Sequence, residues 1–304
     1  MMTNNDATYH VPVMLQECLD GLNINPDGIY VDVTFGGGGH SRAIFEKLSS
    51  KGKLIVFDQD PDAKKNAWEA PNFFFVAANF AFLSNHLRLL GIKKVDGILA
   101  DLGVSSHQFD VPERGFSTRF DSELDMRMTQ RNDLTAGKII NEYSEAELRR
   151  VLKEYGEVDN AHGIMVAISK ARNVEPITST AQLKTVLDRF LPPNKTNKIM
   201  AQIYQALRIE VNQEIQVLKE FLEQTPELLN AGGRLSVISY HSLEDRLVKR
   251  YMRDGMFEGQ PEKDVFGNIN VPFKKSGGLI VPTESEIKIN NRARSAKLRI
   301  AEKI

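Results

Sequence analysis

The stretch YVDVTFGGGGHS, residues 30–41, decides the fold class of this chain. A β-branched run ends here, and four successive glycines, Gly36–Gly39, lead into a segment with helical periodicity. Glycine adopts backbone conformations that are closed to other residues, and it lets a ligand approach the main chain closely. A strand, a glycine-rich turn and a helix in this order predict the first βα unit of a nucleotide-binding α/β fold.

The rest of the first hundred residues repeats this alternation of short apolar runs and helical segments. The predicted strands are Gly28–Val33, Lys53–Asp58, Phe73–Ala77 and Val95–Asp101. The predicted crossover helices between them are Ser41–Leu48, Asp62–Glu69 and Phe80–Leu90. Strands that alternate with helices are typical of parallel βαβ units. We therefore expect half of a doubly wound, Rossmann-like sheet.

This alternation stops after Asp101, and the next convincing strand is Gly233–Tyr240. The interval is about 130 residues, whereas a crossover needs only a dozen or more. Residues 141–156, 159–171, 178–191 and 198–224 carry apolar residues at helical spacing. We expect a discontinuous sheet domain, residues 1–110 and 212–304, and an inserted helical substrate-recognition domain, residues 111–211.

The C-terminal part begins with GGRLSVISYHSLEDR, a strand followed by a helix. Ser242 and Asp245 have the spacing of a capping box. Residues Glu258–Asn291 are predicted to be loops with one short strand at Gly278–Pro282, and the chain is predicted to end in a terminal strand.

Charge and composition exclude several classes of protein. The chain has 304 residues, 39 Lys plus Arg and 40 Asp plus Glu, and a pI near 6.6, which excludes a nonspecific electrostatic binder of nucleic acid. No apolar run approaches the roughly 18 residues of a membrane span, and the polar N-terminal residues do not resemble a secretion signal. The single cysteine, Cys18, cannot form an intrachain disulfide or a cysteine-only metal site. We expect a cytoplasmic protein without a membrane partner or a metal.

The cofactor class follows from the glycines and the acid after them. Asp58 ends the second strand, about 20 residues on, where a carboxylate can accept the ribose hydroxyls of a nucleoside. The GxGxxG fingerprint of dinucleotide sites does not match: its last glycine falls on Ser41 if the motif starts at Gly36, and on Arg42 if it starts at Gly37. A Walker A phosphate loop is also absent from this stretch, because no GK[ST] follows the glycines. S-adenosylmethionine is the leading nucleoside ligand without a pyrophosphate. A simple tight turn is the alternative, and Asp32 is either a ligand for a methionine amino group or a buried structural carboxylate.

The candidate chemistry is methylation of an exocyclic amine. Methylation of carbon 5 of a pyrimidine needs a thiolate nucleophile, and Cys18 precedes the sheet. Asp101 ends the fourth strand at the edge where such sheets bind ligands, and it could accept a hydrogen bond from an amine. Its alternative role is a helix or turn cap.

A base also needs a stacking surface and phosphate contacts. The candidates are Tyr240, His241 as a base contact, Phe109, Phe116, Phe120, Arg114 and Arg119. The aromatic residues could equally be core residues, and His241 could simply cap a helix. Residues 288–303 carry six Lys or Arg and one acid, which predicts either a phosphate-contacting tail or a solvated basic ending.

Nine blocks spread over nearly the whole chain resemble one family. They are HVPVMLQE, DVTFGGGGHS, DQDP, DGILADLGVSS, ERGFS, LDMRM, QALRIEVNQE, GGRLSVISYHSLEDR and RARSAKLRIAE. In this order they resemble the RsmH (MraW) family, bacterial methyltransferases that use S-adenosylmethionine to methylate cytosine N4 of small-subunit ribosomal RNA at the decoding centre. The resemblance implies a class I methyltransferase sheet with an inserted helical module.

The resemblance also implies a set of cofactor contacts. They are Gly38, Gly39, His40, Asp58, Phe80, Asp101 and Gln108. Two departures are His107, where relatives carry proline, and the 258–291 loop, which does not align with the family pattern.

The sequence therefore predicts an rRNA (cytosine-N4-)-methyltransferase whose partner is 16S ribosomal RNA within the small ribosomal subunit. We expect Asp101 and the loop after it to orient the amine, and Tyr240 and His241 to line the base pocket. A nicotinamide-dependent oxidoreductase and a non-catalytic RNA binder are the alternatives. The sequence leaves a homodimer open.

Overall fold

Seven strands form one mixed sheet in this computed structural model, which describes residues 12–130, 132–261, 266 and 269–304. Their spatial order is β3-β2-β1-β4-β5-β7-β6. The strands are β1 Ile29–Asp32, β2 Lys53–Phe57, β3 Phe73–Val76, β4 Val95–Asp101, β5 Leu229–Ser239, β6 Phe273–Lys275 and β7 Lys297–Lys303. The first five are parallel, and β7 is antiparallel to both β5 and β6.

The order of the strands changes direction at β1. β2 and β3 follow on one side of β1, and β4 and β5 lie on the other side. In open α/β sheets such a reversal leaves a crevice at the carboxyl ends of the two strands. Here those ends carry Asp32 and Asp101, and Val33 N–H continues the pairing by donating to the carbonyl of Leu99 at 3.0 Å. The predicted doubly wound, Rossmann-like α/β fold is confirmed.

Some of the α-helices pack on the sheet, and others belong to a separate helical unit. They are α1 Leu15–Leu22, α2 Gly39–Phe45, α3 Leu83–Leu89, α4 Ser106–Asp110, α5 Ala136–Glu142, α6 Glu145–Glu154, α7 Ala161–Arg172, α8 Thr180–Asp188, α9 Thr196–Asn212, α10 Glu214–Leu228, α11 Ser242–Asp254 and α12 Glu284–Ile289. In the described part of the chain, none of them has the length and apolarity that crossing a membrane would require.

Two predicted crossover helices differ from the structure. Asp62–Glu69 is instead a 3₁₀ helix over Pro61–Asn66, with the Asp60 side chain accepting from Asp62 N–H at 3.1 Å. Pro61 starts this turn, and the chain becomes extended at Ala67, so an α-helix does not develop. Phe80–Leu90 begins with a 3₁₀ turn before α3.

The two faces of the sheet form two apolar cores, because neighbouring strand residues point to opposite sides. One face packs the buried side chains of Val31, Ile55, Phe57, Ile98, Ala100, Leu235 and Val237 with those of α3, α10 and α11. The other packs Tyr30, Leu54, Val56, Leu99, Ile238, Leu298 and Ile300 with those of α1 and α2. The parallel strands are therefore apolar on both sides, which explains their nearly continuous apolar runs.

The chain divides into two compact units. The sheet unit ends at Gly103 and resumes at Val217, and the helical unit is Val104–Gln216. The predicted boundaries at residues 111 and 211 both lie inside the helical unit. Residues 104–110, which include most of the turn into α4 and α4 itself, and residues 212–216 belong to that unit. Residues 1–11, which the prediction assigned to the sheet domain, lie outside the described residues.

The helical unit has its own core, formed by side chains from α5 to α9. Ser144 and Glu147 form a capping box at α6, and Ser179 and Gln182 form another at α8. The predicted continuous helix over residues 198–224 is interrupted at Gln213, whose φ of 52° ends α9.

The C-terminal part differs from its prediction in three places. The capping box of α11 is His241 with Glu244, not Ser242 with Asp245, because the helix begins one residue earlier in register than the Ser–Asp spacing implied. Gly278–Pro282 contributes only a bridge between Ile280 and Leu298. The predicted 258–291 loop instead contains β6 and α12, and its residues 262–265 and 267–268 lie outside the described residues. The predicted terminal strand is confirmed as β7.

Candidate active site at the carboxyl ends of β1 and β4

The glycine loop joins β1 to α2 through two residues in the left-handed region. Gly36 has a φ of 50° and Gly38 a φ of 77°, a conformation that costs little only for glycine. Gly38 N–H donates to the carbonyl of Phe35 at 2.7 Å, which closes the turn. A Cβ atom on Gly39 would overlap the ring of Pro12, whereas one on Gly37 would meet no atom of the described residues within 4 Å. The loop is therefore tightly packed on one side and open at Gly37.

Asp32 holds this loop from the end of β1. Its carboxylate is buried and accepts from Thr34 N–H at 3.0 Å and from the Ser41 hydroxyl at 2.6 Å. These bonds connect the strand to the start of α2. The structure thus gives Asp32 the structural role that was one of its two expected roles.

Asp58 lies directly after β2 and binds the same loop from the other side. One carboxylate oxygen accepts from Gly36 N–H at 2.8 Å, and the other accepts from Asp60 N–H at 2.8 Å. Burial raises the pKa of Asp58 to about 6, although both backbone bonds lower it. Each oxygen retains a second acceptor site, so the carboxylate can still receive ribose hydroxyls.

Asp101 ends β4 and lies in a cluster of polar side chains. Its Oδ1 accepts from the Tyr240 hydroxyl at 2.7 Å, and its Oδ2 lies 3.7 Å from Nδ1 of His40. Its backbone N–H donates to Thr34 Oγ1 at 2.7 Å. Burial raises the pKa of Asp101, whereas His40 and the bond from Tyr240 lower it. Oδ2 is the oxygen that remains for a further donor.

His40 has a defined orientation in this cluster. It is buried, and its Nε2 lies 2.9 Å from the carbonyl oxygen of Val13. A carbonyl oxygen can only accept, so Nε2 carries the proton of that bond. The other ring nitrogen, Nδ1, faces Oδ2 of Asp101. Gly38, Gly39, His40 and Asp101 are thus held together at one edge of the sheet.

Tyr240 follows β5 and brings a third strand end into the cluster. Burial, followed by the charge of Asp101, raises the pKa of Tyr240 well above its ordinary value, so the phenol remains a donor. Its backbone N–H donates to Oε2 of Glu244 at 2.9 Å.

His241 caps α11. Its Nδ1 accepts from Glu244 N–H at 3.4 Å, and Oε2 of Glu244 accepts from His241 N–H at 3.3 Å. This is the capping role that the sequence left as the alternative to a base contact. Its Nε2 lies 3.2 Å from Oε1 of Glu244 but has no hydrogen bond of acceptable geometry in the described part of the chain.

Phe80, the remaining predicted cofactor contact of the sheet unit, packs edge-on against Phe221 with 5.3 Å between ring centroids. It lies half-buried in the 3₁₀ turn before α3. Phe80 thus packs against the apolar core that α3, α10 and α11 form with the sheet.

Six of the predicted site residues belong to the helical unit: Gln108, Phe109, Arg114, Phe116, Arg119 and Phe120. Gln108 is buried, and its Oε1 accepts from Ser105 N–H at 3.0 Å within the capping box of α4. Arg114 Nη2 donates to the carbonyls of Arg127 at 3.0 Å and Met128 at 3.3 Å, and Phe109 packs against the helical core.

Arg119 remains exposed. Its guanidinium lies 5.9 Å from the ring centroid of Phe120 and 3.4 Å from Oδ1 of Asp110. In the described structure Arg114 is thus occupied by loop carbonyls, and Arg119 is the more accessible of the two cations.

Sequence reasoning missed Thr34 and Val13. Thr34 is shared between Asp32 and Asp101, and Val13 fixes the His40 ring. A hydroxyl residue between the first strand and its glycine turn is a usable signal for Thr34. A backbone carbonyl leaves no signal in sequence, so the contact of Val13 could not have been found.

The geometry of the loop and Asp58 fits a nucleoside cofactor. The open space beside Gly37 allows close approach to the main chain, and Asp58 can accept ribose hydroxyls. Asp101 Oδ2 can accept an N–H group at the same edge of the sheet. The site can thus place an amine next to a bound nucleoside.

Comparisons with known proteins give the chain its family. It is 67% identical over 290 residues to the Ribosomal RNA small subunit methyltransferase H of Flavobacterium psychrophilum, covering 95% of this chain and 100% of that one. It is 64% identical over 296 residues to the enzyme of the same name from Flavobacterium johnsoniae, covering 97% and 98%. A solved rRNA methylase from Streptococcus thermophilus is 13% identical, covers 96% of this chain and 95% of that chain, and superimposes with a TM-score of 0.42. The profile of the MraW methylase family matches residues 7–304, and the chain therefore belongs to that family.

Proposed function

We propose that this protein methylates the exocyclic N4 of a specific cytidine in 16S ribosomal RNA, at the decoding centre of the small subunit. Family membership makes it a methyltransferase that depends on S-adenosylmethionine. The names of its relatives support ribosomal RNA of the small subunit as the substrate. The observation that carries the amine specificity is Oδ2 of Asp101, which lies beside the glycine loop and accepts no hydrogen bond from the described residues.

The position of the single thiol also favours an amine over a ring carbon. Cys18 is buried in α1, and burial raises its pKa well above its ordinary value. Attack on a pyrimidine ring needs a thiolate that reaches the substrate. A protonated thiol in the core does not meet that need.

The residues that would hold S-adenosylmethionine lie around the glycine loop. We assign Gly38, Gly39 and His40 to the loop side of the cofactor, Asp58 to the ribose hydroxyls, and Phe80, Asp101 and Gln108 to the remaining contacts. When bound, the cofactor supplies an electrophilic methyl group on a sulfonium. The open face at Gly37 is the structural support for close contact.

The chain itself supplies orientation of the amine. The lone pair of N4 is delocalised into the cytosine ring, so the amine is a poor nucleophile. Asp101 Oδ2 accepts one N–H of that amine, and Tyr240 fixes the carboxylate by its bond to Oδ1. Holding the N–H out of the plane of the ring would turn the lone pair out of conjugation, which is a positioning effect.

Substrate recognition extends beyond this edge of the sheet. We assign Tyr240 and His241 to the base pocket, and Phe109, Arg114 and Arg119 of the helical unit to RNA contacts. The helical unit is in this proposal the substrate-recognition module, and the reaction takes place in the cytoplasm on ribosomal RNA of the small subunit.

The deciding experiment is mass spectrometry of nucleosides from 16S ribosomal RNA of cells with and without the active protein. We expect N4-methylcytidine at one position only in the presence of the protein. A methylated carbon or a different base would overturn the proposal. Subunits that lack the modification and take up no label from radioactive cofactor would instead favour the non-catalytic RNA binder.

A further inference from the structure

A cavity of about 440 Å³ lies in the sheet unit beside the polar cluster of Asp101, His40 and Tyr240. Tyr240, His241 and Ser242 form one wall, and the segment from Val281 to Lys297 contributes the other lining residues. Small-molecule sites have volumes of about 300–1,000 Å³, so the cavity can hold one nucleotide. Tyr240 connects it to the site already described, because its hydroxyl binds Asp101.

The wall opposite Tyr240 carries two cations, Arg294 and Lys297. Arg294 is exposed and makes no hydrogen bond or ion pair with any residue that the structure describes. Lys297 lies 3.5 Å from Asp245, whose two oxygens already accept from Arg299 at 2.7 and 3.2 Å. Among the described lining residues there is no carboxylate. The cavity therefore has an excess of positive charge.

The backbone that carries Arg294 is held firmly on both sides. It belongs to a 3₁₀ helix, Asn291–Ser295, whose neighbouring alanines Ala293 and Ala296 are buried. Leu298 and Ile280 exchange two backbone hydrogen bonds of 2.9 and 3.1 Å just beyond this turn. The backbone position of Arg294 is therefore fixed before a ligand arrives, which removes the backbone part of the entropic cost of binding.

We infer that this cavity binds one nucleotide of the RNA substrate, with its base against Tyr240 and its phosphate on Arg294 and Lys297. An aromatic wall, hydroxyl groups and cations are the features by which proteins hold an unstacked nucleotide. A planar guanidinium can bind a phosphate through two parallel hydrogen bonds. The inference rests on the proposed function, since it takes RNA as the substrate.

The test compares Arg294→Ala with Arg88→Ala in binding to small ribosomal subunits that lack the modification. Arg88 is an exposed arginine of α3 outside the cavity, so its loss controls for net charge. We expect Arg294→Ala to weaken binding about tenfold and Arg88→Ala to leave it within about twofold. The slope of log affinity against log salt should fall by about one for Arg294→Ala alone.

Arg294→Lys keeps the charge but loses the two-pronged geometry, so it should retain the salt slope and lose only part of the affinity. Equal behaviour of Arg294→Ala and Arg88→Ala would overturn the inference, as would unaltered salt dependence.

Methyl transfer by the wild-type protein to the same subunits is measured in parallel. If the wild type transfers methyl groups but Arg294→Ala binds the subunits as tightly as Arg88→Ala does, only the cavity assignment is refuted. Binding without transfer refutes the proposed function, and the comparison of variants then still decides the cavity.

Discussion

The hydroxyl of Tyr240 donates a hydrogen bond of 2.7 Å to Oδ1 of Asp101 and thereby connects the carboxyl ends of β5 and β4. These two residues are 139 positions apart in the chain. The bond fixes the plane of the carboxylate and leaves Oδ2 on the side of His40, 3.7 Å away. The candidate amine acceptor is thus oriented by a residue from the strand that follows the helical insertion.

Asp101→Asn should lower turnover more than cofactor affinity. The asparagine oxygen can still accept from Tyr240, but its amide nitrogen replaces the oxygen that would accept the substrate amine. Loss of one hydrogen bond to a charged group corresponds to about tenfold to hundredfold in kcat. Steady-state kinetics and calorimetric titration with S-adenosylmethionine measure the two effects separately. A larger fall in cofactor affinity than in kcat would remove Asp101 from the amine-orienting role.

Tyr240→Phe keeps the ring and removes only the donor. The bond from Tyr240 lowers the pKa of Asp101, so its loss should raise that pKa further. The acidic limb of the pH–kcat profile should therefore move to higher pH relative to wild type. Cofactor binding at neutral pH provides the control, and a profile that overlays the wild-type curve would show that the bond does not affect the reacting carboxylate.

Asp58→Asn should change the pH dependence of stability. Burial raises the pKa of Asp58 to about 6, whereas an unfolded aspartate titrates near 3.9. Between these values the native state binds more protons than the unfolded state, so ionisation of Asp58 makes the free energy of unfolding fall as pH rises. Below about pH 4 that stability is fully present, and above about pH 6 it has been lost.

The variant has no carboxyl to titrate at this position. The unfolding free energy of the wild type minus that of Asp58→Asn should therefore fall by up to about 3 kcal/mol from pH 4 to pH 7. Urea unfolding of both proteins across this range gives the comparison, in which all other groups titrate alike. Parallel curves would mean that Asp58 has an ordinary pKa.

Gly38→Ala should destabilise the protein, and Gly37→Ala should not, because only Gly38 has both a left-handed backbone conformation and a close neighbour. Gly38 has a φ of 77°, and a Cβ there would lie 3.0 Å from the Phe35 ring. We expect Gly38→Ala to cost about 1–3 kcal/mol of unfolding free energy. Gly37 has neither constraint, so Gly37→Ala should change stability by less than about 0.5 kcal/mol. Chemical denaturation of both variants is the measurement, and equal losses would contradict the loop geometry.

His241→Asn should distinguish the helix cap from the base contact. Asparagine is as good an N-cap as any residue, so the variant should keep its thermal stability, whereas His241→Ala should lose about 1 kcal/mol. If His241 also contacts the base, His241→Asn should still lose about tenfold in kcat/KM for the RNA substrate. Wild-type kcat/KM together with unchanged stability would leave His241 with the capping role alone.

The strands of the first hundred residues could be predicted closely, and β4 matches its predicted bounds of Val95–Asp101. Buried parallel strands carry apolar residues on both sides, and that signal is strong in a single sequence. The length of the interval before β5 likewise predicted an insertion. These features depend on local composition and on chain length, which are both visible without coordinates.

The C-terminal part was harder to predict because its elements are short. β6 has three residues and α12 has six, too few for a periodic pattern to stand out. The cap of α11 was displaced by one residue because histidine is a rare N-cap, whereas the neighbouring Ser242 is a common one.

Of the site, the glycine loop, Asp58 and Asp101 were visible as residue types at strand ends. Their partners were not: the bond from Tyr240 depends on how β5 pairs with β4, and the bond from His40 to Val13 depends on a backbone carbonyl. Spacing along the sequence does not contain either distance.

The position of the helical unit between β4 and β5 has a consequence for synthesis of the protein. About 130 residues separate the end of β4 from the start of β5, which takes roughly 6–25 s at the usual rate of translation. During that time the first four strands have already been synthesised, while the edge of β4 that pairs with β5 still has unpaired N–H and carbonyl groups. A nascent chain that stalls before residue 229 keeps this edge open to any extended segment, so the insertion exposes the growing protein to mispairing for as long as its own translation lasts.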